Sequence, residues 1–312
     1  MGTLINGQWS TAEEQTRIGP GGDFVRGRTA FRSTLSADGP HPPQASRYHL
    51  FVAHNCPWAH RTIIVRNLKG LRADVSMTVA HLRRNDQGWW FPEGVDGLQP
   101  VDGMLPLHRV YARADDTYTG SATVPVLWDR AAQTIVSNES AEIIVMLNAQ
   151  MGDPGIDLYP EALRAEIEAV NAWVYTDINN GVYRAGFART QEAYERAYRP
   201  LFAALDRVES RLARHRYLVG DTLTLADIRL FTTLIRFDAV YYSHFKCNRQ
   251  RIADFANLAP YLRDLYQTPG VGETVDIDLY KRGYYGRSPG LNPRGIIPLG
   301  PHLDFEAPHG RG

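Results

Sequence analysis

A cysteine followed by a proline, between a predicted strand and a predicted helix, constrains the fold of this chain more than any other feature. The run Tyr48–Ala53 is short, apolar and rich in residues that favour strands. His54–Pro57 breaks this run, and Trp58–Leu68 has the apolar spacing of a helix. Val75–Ala80 follows as a second strand. This order predicts a β-α-β unit in which Cys56 lies at the turn into the helix.

The next part of the chain predicts the remainder of one sheet-containing domain. Residues 83–122 contain many Gly, Pro and Asp and predict a long loop or lid. Thr123–Asp129 and Thr134–Val136 predict two more strands, and Ser137–Ser140 opens a helix. Pro125 stands inside the first of these strands, where proline cannot donate to the ladder. It marks either an edge strand or a cis peptide bond.

The second half of the chain has a different composition, with Ala, Arg and Glu at helical spacing. Three long helices are predicted, at 161–180, 191–214 and 224–240. The last begins with Thr224-Leu225-Ala226-Asp227, which resembles a capping box with Asp in the place of Glu. We therefore expect an irregular extension over 1–46, an α/β domain over 47–150, an all-helical domain over 160–280 and an irregular extension over 281–312.

Composition excludes several classes of function. The 312 residues exceed the usual size of one compact core, which agrees with two domains. Thirty-four basic residues balance thirty-four acidic residues, so no net field attracts a nucleic acid. No run approaches the ~18 apolar residues of a membrane span, and the N-terminus lacks the pattern of a signal peptide. We expect a cytoplasmic protein that binds neither nucleic acid nor membrane.

The two cysteines must be explained singly, because a chain of this size needs no disulfide framework. Cys56 precedes Pro57 at a helix start, where backbone N–H groups and the positive helix end favour a thiolate. Ala59 stands where a redox Cys-x-x-Cys motif has its second cysteine, so any disulfide forms with an external thiol. Cys56 is a candidate nucleophile, and a half-buried structural cysteine is the alternative. Cys247 lacks this context, and we expect it to be structural.

Several motifs together resemble the glutathionyl-hydroquinone reductases, the xi class of cysteine-type glutathione transferases. The resemblance covers nearly the whole chain, and its motifs lie in both predicted domains. They are Asn55–Arg61, Asp86–Trp89, Thr123–Val126, Asn180–Ala188, Ala226–Asp238, Tyr284–Tyr285 and Leu291–Pro298. The resemblance implies a thioredoxin-like N-terminal domain that binds a thiol, followed by the all-α glutathione-transferase domain.

The resemblance also implies a glutathione site in the first domain. A cis Val124-Pro125 bond frees the Val124 backbone to pair with the peptide of glutathione. Glu139 and Ser140 lie at a helix start that suits the charged γ-glutamyl head, although ordinary capping by Ser137 and Glu139 is the alternative. Trp89 resembles the tryptophan that closes over glutathione in this family, and a core tryptophan is the alternative.

Tyr183, Tyr284 and Tyr285 match the family's site for an aromatic substrate, where phenols face a hydroquinone. Simple packing with an exposed hydroxyl is the alternative, because tyrosine is amphipathic. His54, Cys56 and His60 superficially resemble metal ligands, but a fourth ligand motif is absent and we expect no metal. A Gly-rich phosphate loop is also absent, so we expect no tightly bound cofactor.

The sequence therefore predicts that Cys56 reduces glutathionyl-hydroquinones through a mixed disulfide, with Tyr183 and Tyr284 or Tyr285 as acids. Its partners are glutathione as cosubstrate, a glutathionylated aromatic substrate and a second copy in a homodimer. Another low-molecular-weight thiol is an alternative cosubstrate. One alternative function is an omega-like thiol transferase or dehydroascorbate reductase. The other is a non-enzymatic ligand-binding protein on the same scaffold, which would have no use for a thiolate at Cys56.

Overall fold

The computed structural model describes residues 2–11, 18–27, 29–153, 155–286 and 290–311. These residues form two compact units. The first takes the described parts of 1–15 and 27–156, and the second takes those of 16–26 and 157–312. The predicted N-terminal extension is thus divided between both units. Its residues 12–17 and 28, and residues 287–289 and 312 of the C-terminal extension, lie outside the described residues.

The first unit contains a four-stranded mixed sheet. The strands and helices of this unit are β1 (Thr3–Ile5), β2 (Gln8–Ser10), β3 (Tyr48–Val52), α1 (Pro57–Leu68), β4 (Val75–Val79), β5 (Trp90–Phe91), β6 (Leu105–Pro106), α2 (Leu107–Ala114), β7 (Val126–Asp129), β8 (Thr134–Ser137) and α3 (Ser140–Gln150). The sheet has the strand order β4-β3-β7-β8, and β3 is parallel to β4 but antiparallel to β7. Helices α1 and α3 contact each other.

The predicted strand, turn and helix around Cys56 are confirmed, and burial explains why they form. All five residues of β3 are buried, which accounts for its unbroken apolar character. Two predictions need correction. Residues 3–10 form an antiparallel ribbon, β1 with β2, inside the extension expected to be irregular. The insert 83–122 contains α2, whose apolar residues alternate with polar ones at helical spacing and whose Leu107, Val110 and Tyr111 are buried.

The second unit is helical. Two π-helical turns, Val174–Asn179 and Phe237–Tyr241, interrupt its helices. Three short 3₁₀ turns lie at Glu161–Leu163, Ile252–Asp254 and Gly272–Thr274. The helices are α4 (Arg164–Trp173), α5 (Gly181–Gly186), α6 (Gln191–Leu212), α7 (Leu225–Arg236), α8 (Tyr242–His244), α9 (Leu258–Gln267) and α10 (Ile277–Tyr285).

The predicted start of α7 is confirmed. The Thr224 backbone and side chain both donate to the Asp227 carboxylate, which closes the capping box. The predicted end of regular structure at residue 281 needs correction, because α10 continues to Tyr285. Within the described ranges, no helix is both long enough and apolar enough to cross a membrane.

Candidate active site

The cysteine turn, residues 53–57, places the thiol at the start of α1. Cys56 is the N-cap residue, with extended backbone, and Pro57 occupies the first turn of the helix. The Cys56 amide donates to the Ala53 carbonyl at 3.0 Å, which closes the turn after β3. Proline suits this place because its missing N–H would have no partner inside the helix. The half-buried thiol therefore lies at the positive end of a helix.

The Cys56 sulfur faces the backbone that precedes β7. Its Sγ lies 3.7 Å from the Val124 carbonyl oxygen. The Val124-Pro125 peptide bond is cis, so the cis alternative of the sequence analysis is confirmed. Strand β7 begins only at Val126, so Val124 and Pro125 lie just outside the sheet. The thiol and the backbone expected to hold a thiol peptide are thus adjacent in one unit.

Glu139 and Ser140 lie together at the start of α3. Glu139 is the N-cap, and its Oε1 accepts from the Ala141 amide at 3.1 Å. Its Oε2 accepts from the Thr29 hydroxyl at 3.3 Å. The buried Ser140 hydroxyl accepts from the Arg61 guanidinium at 3.4 Å. The capping alternative for Glu139 is therefore confirmed, and its role toward a γ-glutamyl ammonium stays a prediction.

Trp89 is a buried residue of the insert. Only 5% of its surface is exposed, and the Arg84 guanidinium stacks on its ring with Cζ 3.8 Å from the ring centroid. Its backbone carbonyl accepts from the Leu107 amide at 2.7 Å, which ties Trp89 to the start of α2. The predicted contact of Trp89 with glutathione stays a prediction.

Three tyrosines of the helical unit share hydrogen bonds, and we call Tyr183, Tyr241 and Tyr284 the phenol chain. The hydroxyl oxygens of Tyr183 and Tyr284 are 2.6 Å apart, and those of Tyr241 and Tyr284 are 3.1 Å apart. The three residues come from α5, from the π-helical turn 237–241 and from α10. Tyr284 is therefore the middle member, and both other phenols are bonded to it.

Phe245 packs against all three rings of the phenol chain. Its ring stacks on Tyr241 with centroids 5.3 Å apart and meets the edges of Tyr183 and Tyr284 at 5.6 and 5.8 Å. Gly186 makes room for this ring, because an added Cβ there would lie 2.2 Å from the Phe245 Cγ. These contacts fix the phenols in place.

Burial controls the acidity of the phenol chain. Tyr241 is fully buried, and burial raises the pKa of its phenol well above the usual value. Burial also raises the pKa of the Tyr284 phenol well above its usual value, while the charge of Arg236 opposes the rise in both. Both phenols therefore carry their protons at neutral pH. A group of protonated phenols can donate hydrogen bonds or a proton to an aromatic substrate.

Comparison with known proteins identifies the family of this chain. The models for the N-terminal and C-terminal domains of glutathione S-transferases match residues 55–150 and 191–264. Glutathionyl-hydroquinone reductase YqjG of Escherichia coli strain K12 is 47% identical to this chain, covering 100% of the chain and 98% of the relative. Glutathionyl-hydroquinone reductase PcpF of Sphingobium chlorophenolicum is also 47% identical, over 96% of both proteins.

A solved xi-class structure from Natrialba magadii has a TM-score of 0.89 and 44% identity, covering 100% of this chain and 96% of that one. The chain belongs to the xi class of glutathione transferases. The glutathione-bound structure of YqjG from Escherichia coli K-12 has a TM-score of 0.87 and 44% identity over 99% of both chains. The predicted family and its two-domain fold are therefore confirmed.

Tyr285 is not part of the phenol chain in this xi-class protein. Its hydroxyl bonds to the Ser243 hydroxyl and lies 3.4 Å from the Ala239 carbonyl oxygen. Adjacent residues of a helix point about 100° apart, so Tyr284 and Tyr285 cannot both face the same group. The structure thus brings together two of the three predicted tyrosines, and the catalytic role of Tyr285 stays a prediction.

Sequence reasoning missed Tyr241, the third member of the phenol chain. It follows the motif Ala226–Asp238 and reaches Tyr284 because the backbone winds into a π-helical turn over Phe237–Tyr241. π-Helical turns are rare and occur often at functional sites. No residue pattern in this stretch signals such a turn, although the neighbouring pair Tyr241-Tyr242 is a visible sign of an aromatic site.

Cys247 differs from Cys56 in its exposure. It is completely buried, and burial raises the pKa of its thiol far above the usual value. Its Sγ contacts the Phe245 carbonyl at 3.8 Å. A thiol that stays protonated and inaccessible is a poor nucleophile, which agrees with a structural role. In the part of the chain that the structure describes, no group of three His, Cys, Asp or Glu side chains forms a metal site.

Proposed function

We propose that this protein reduces glutathionyl-hydroquinones to hydroquinones with glutathione as the reductant. The hydrogen-bonded phenol chain carries this proposal, because cleaving a bond between sulfur and an aromatic carbon requires a proton donor. The cysteine turn supplies the nucleophile that such a reaction needs. The two reductases that are 47% identical to this chain carry the name of the same activity.

In the first half-reaction, the Cys56 thiolate attacks the sulfur of the glutathionyl-hydroquinone. The bond between that sulfur and the aryl carbon breaks, and its electron pair stays on the carbon. A proton from the phenol chain goes to the same carbon, either directly or after tautomerisation of the ring. The hydroquinone leaves with a C–H bond, and the Cys56 and glutathione sulfurs are oxidised to a mixed disulfide.

In the second half-reaction, the thiolate of a free glutathione attacks the glutathione sulfur of the mixed disulfide. Oxidised glutathione leaves, and Cys56 returns to its reduced form. Solvent restores the proton of the phenol chain. One glutathionyl-hydroquinone and one glutathione therefore give one hydroquinone and one oxidised glutathione, with no metal or flavin in the balance.

Glutathione is the proposed cosubstrate, and the first unit is the proposed thiol-binding domain. The Val124 carbonyl beside the Cys56 sulfur is placed to pair with its cysteinyl peptide. Glu139 and Ser140 would take the γ-glutamyl head at the start of α3, and Trp89 would cover the bound tripeptide. The structure of YqjG with bound glutathione supports this assignment by likeness. We further propose that the protein is a cytoplasmic homodimer.

A second candidate function is an omega-like thiol transferase that reduces mixed disulfides through the same Cys56. It is favoured by a 42% identical relative named glutathione S-transferase omega-like 2 of Schizosaccharomyces pombe, which matches 91% of this chain. In the reduction of a mixed disulfide the leaving group is a thiolate, which departs without being protonated. This activity therefore does not require the phenol chain. Activity on the two substrate types separates the candidates.

The test is turnover of a purified glutathionyl-benzohydroquinone by the wild-type protein with excess glutathione. We expect hydroquinone and oxidised glutathione to appear in equal amounts. A protein that reduces a glutathione mixed disulfide but releases no hydroquinone would contradict the proposal and leave the omega-like function. Replacing glutathione by another small thiol in the same assay tests the identity of the cosubstrate.

A further inference from the structure

Arg236 is a fully buried cation at the end of α7. None of its surface is exposed, and its guanidinium carbon lies 3.7 Å from the centroid of the Tyr280 ring. One guanidinium nitrogen donates to the Thr232 carbonyl at 2.8 Å. Burying a positive charge costs free energy, so a protein that keeps one buried needs compensating contacts. Neither half-reaction of the proposed function assigns a role to this buried charge.

Helical geometry places Arg236 one turn below the phenol chain. Arg236 immediately precedes the π-helical turn Phe237–Tyr241, which ends on Tyr241 of the phenol chain. Tyr280 and Tyr284 are four apart in α10 and share one face of that α-helix. The guanidinium that stacks on Tyr280 therefore lies about one helical turn from Tyr284, to which Tyr241 is bonded.

We propose that Arg236 is a positioning residue whose buried positive charge stabilises the phenolate left when the phenol chain gives up a proton. This inference rests on the proposed function. Deprotonation of one phenol creates a negative charge in an apolar environment, which burial alone makes costly. A fixed positive charge one turn away offsets that cost without any rearrangement during the reaction.

Four tyrosines interact electrostatically with Arg236, and each of them favours its charged form. Burial disfavours its charged form, but attraction to the oxygens of Tyr280, Tyr241, Tyr284 and Tyr183 raises the pKa of the guanidinium above its usual value. In return, Arg236 lowers the pKa of Tyr241 and Tyr284 against the larger effect of burial. These tyrosines come from α10, from the π-helical turn and from α5, so three elements of the helical unit interact electrostatically with the cation.

The first experiment compares Arg236→Met with Arg236→Lys, because methionine keeps the length and lysine also keeps the charge. A unit charge about one helical turn away in a buried site affects the barrier by at least about tenfold. We expect Arg236→Met to lower turnover of the glutathionyl-hydroquinone at least about tenfold and Arg236→Lys to lower it less. Both should reduce a glutathione mixed disulfide at nearly the wild-type rate.

Arg207→Met is the control for loss of an arginine–aromatic stack, since the exposed Arg207 stacks on Trp173 at 4.3 Å elsewhere in the helical unit. It should leave both activities unchanged. Equal losses on the two substrates in Arg236→Met would overturn the proposal, because they indicate general damage to packing. Full thioether activity in Arg236→Met would overturn it as well. A wild type without thioether activity would instead contradict the proposed function itself.

The second experiment measures the effect of the Arg236 charge on a bound phenol. 4-Nitrophenol, a coloured stand-in for the hydroquinone ring, is titrated with pH while bound to each protein, and its phenolate absorbance gives its pKa. We expect that pKa to be about one unit higher in Arg236→Met than in wild type, which corresponds to the tenfold effect on rate, and to stay nearer to wild type in Arg236→Lys. If Arg236→Met does not fold, Arg236→Gln takes its place. The same pKa with and without the charge would overturn the proposal.

Discussion

The cysteine turn and the phenol chain are built on different principles. Cys56 is a single half-buried thiol beside backbone groups, since its amide donates to the Ala53 carbonyl and its sulfur lies 3.7 Å from the Val124 carbonyl oxygen. The phenol chain consists of side chains that bond to one another, and burial keeps its protons in place. A thiolate is sufficient for exchange between sulfur atoms, whereas release of an aryl carbon also needs a proton. We therefore expect both substrates to depend on the cysteine turn, and only the glutathionyl-hydroquinone to depend on the phenol chain.

Loss of Cys56 should have the largest effect, because both substrates depend on it. In Cys56→Ser, the hydroxyl has far too high a pKa to supply an anion at neutral pH and cannot form the mixed disulfide. We expect turnover of both the glutathionyl-hydroquinone and a mixed disulfide to fall at least about a hundredfold. Steady-state kinetics with either substrate checks this. Activity above about a hundredth of wild type would remove Cys56 from the mechanism.

Loss of the middle phenol should affect only one substrate. Tyr284→Phe removes the hydroxyl to which both Tyr183 and Tyr241 are bonded. We expect turnover of the glutathionyl-hydroquinone to fall about a hundredfold, a typical contribution of general acid catalysis, and reduction of the mixed disulfide to stay near wild type. Measuring the two rates on one preparation avoids errors in protein concentration.

Tyr285→Phe is the matched control for Tyr284→Phe, since it removes the neighbouring hydroxyl, which bonds to Ser243 instead. Its thioether activity should stay within about threefold of wild type, because a single hydrogen bond outside the phenol chain is lost. Equal losses in the two variants would show that the phenol chain has no special role. A larger loss in Tyr285→Phe would reassign the acid to Tyr285.

Tyr241→Phe should have an intermediate effect. Tyr241 is fully buried and bonds to Tyr284, so its loss weakens the polarisation of the other two phenols without removing either. We expect thioether turnover to fall about tenfold, with little change for the mixed disulfide. If Tyr241→Phe equals wild type on both substrates, the chain consists of Tyr183 and Tyr284 alone.

Loss of the second cysteine should have the smallest effect on turnover. Cys247→Ser places a hydroxyl in a fully buried site, so the free energy of unfolding should fall by about 1–3 kcal/mol while both rates stay within about twofold. Thermal unfolding and the two assays measure this. Iodoacetamide should label Cys56 but leave the buried Cys247 unmodified in the native protein. A large loss of turnover with the fold intact would make Cys247 a resolving thiol.

Local signals in the sequence were sufficient for the cysteine turn. A strand, a break and Pro57 at the first turn of a helix are neighbours in the chain, so Cys56 could be placed without knowing any long-range contact. The capping box Thr224–Asp227 was predictable for the same reason. The ribbon over residues 3–10 was not, because three-residue strands give too short a period to detect.

The phenol chain could be predicted only in part, because its members meet through tertiary structure. The resemblance supplied Tyr183 and Tyr284, but the adjacent Tyr285 carried the same signal and only the helix phase distinguishes them. Tyr241 depends on a π-helical turn, which inserts one residue into the helical repeat and has no sequence signature here. The burial of Arg236 could not be predicted from the sequence, because arginine is rarely buried without a compensating contact. Its stack on Tyr280 is such a contact, and it forms only in the folded unit.

A single half-reaction tests the central claim most directly. The wild-type protein is mixed with one equivalent of glutathionyl-hydroquinone in the absence of free glutathione, and intact protein and its peptides are then weighed by mass spectrometry. We predict one equivalent of released hydroquinone and one glutathione joined to Cys56 as a disulfide, removed again by added glutathione. Hydroquinone release without an adduct on Cys56, or with the adduct on Cys247, would contradict the account.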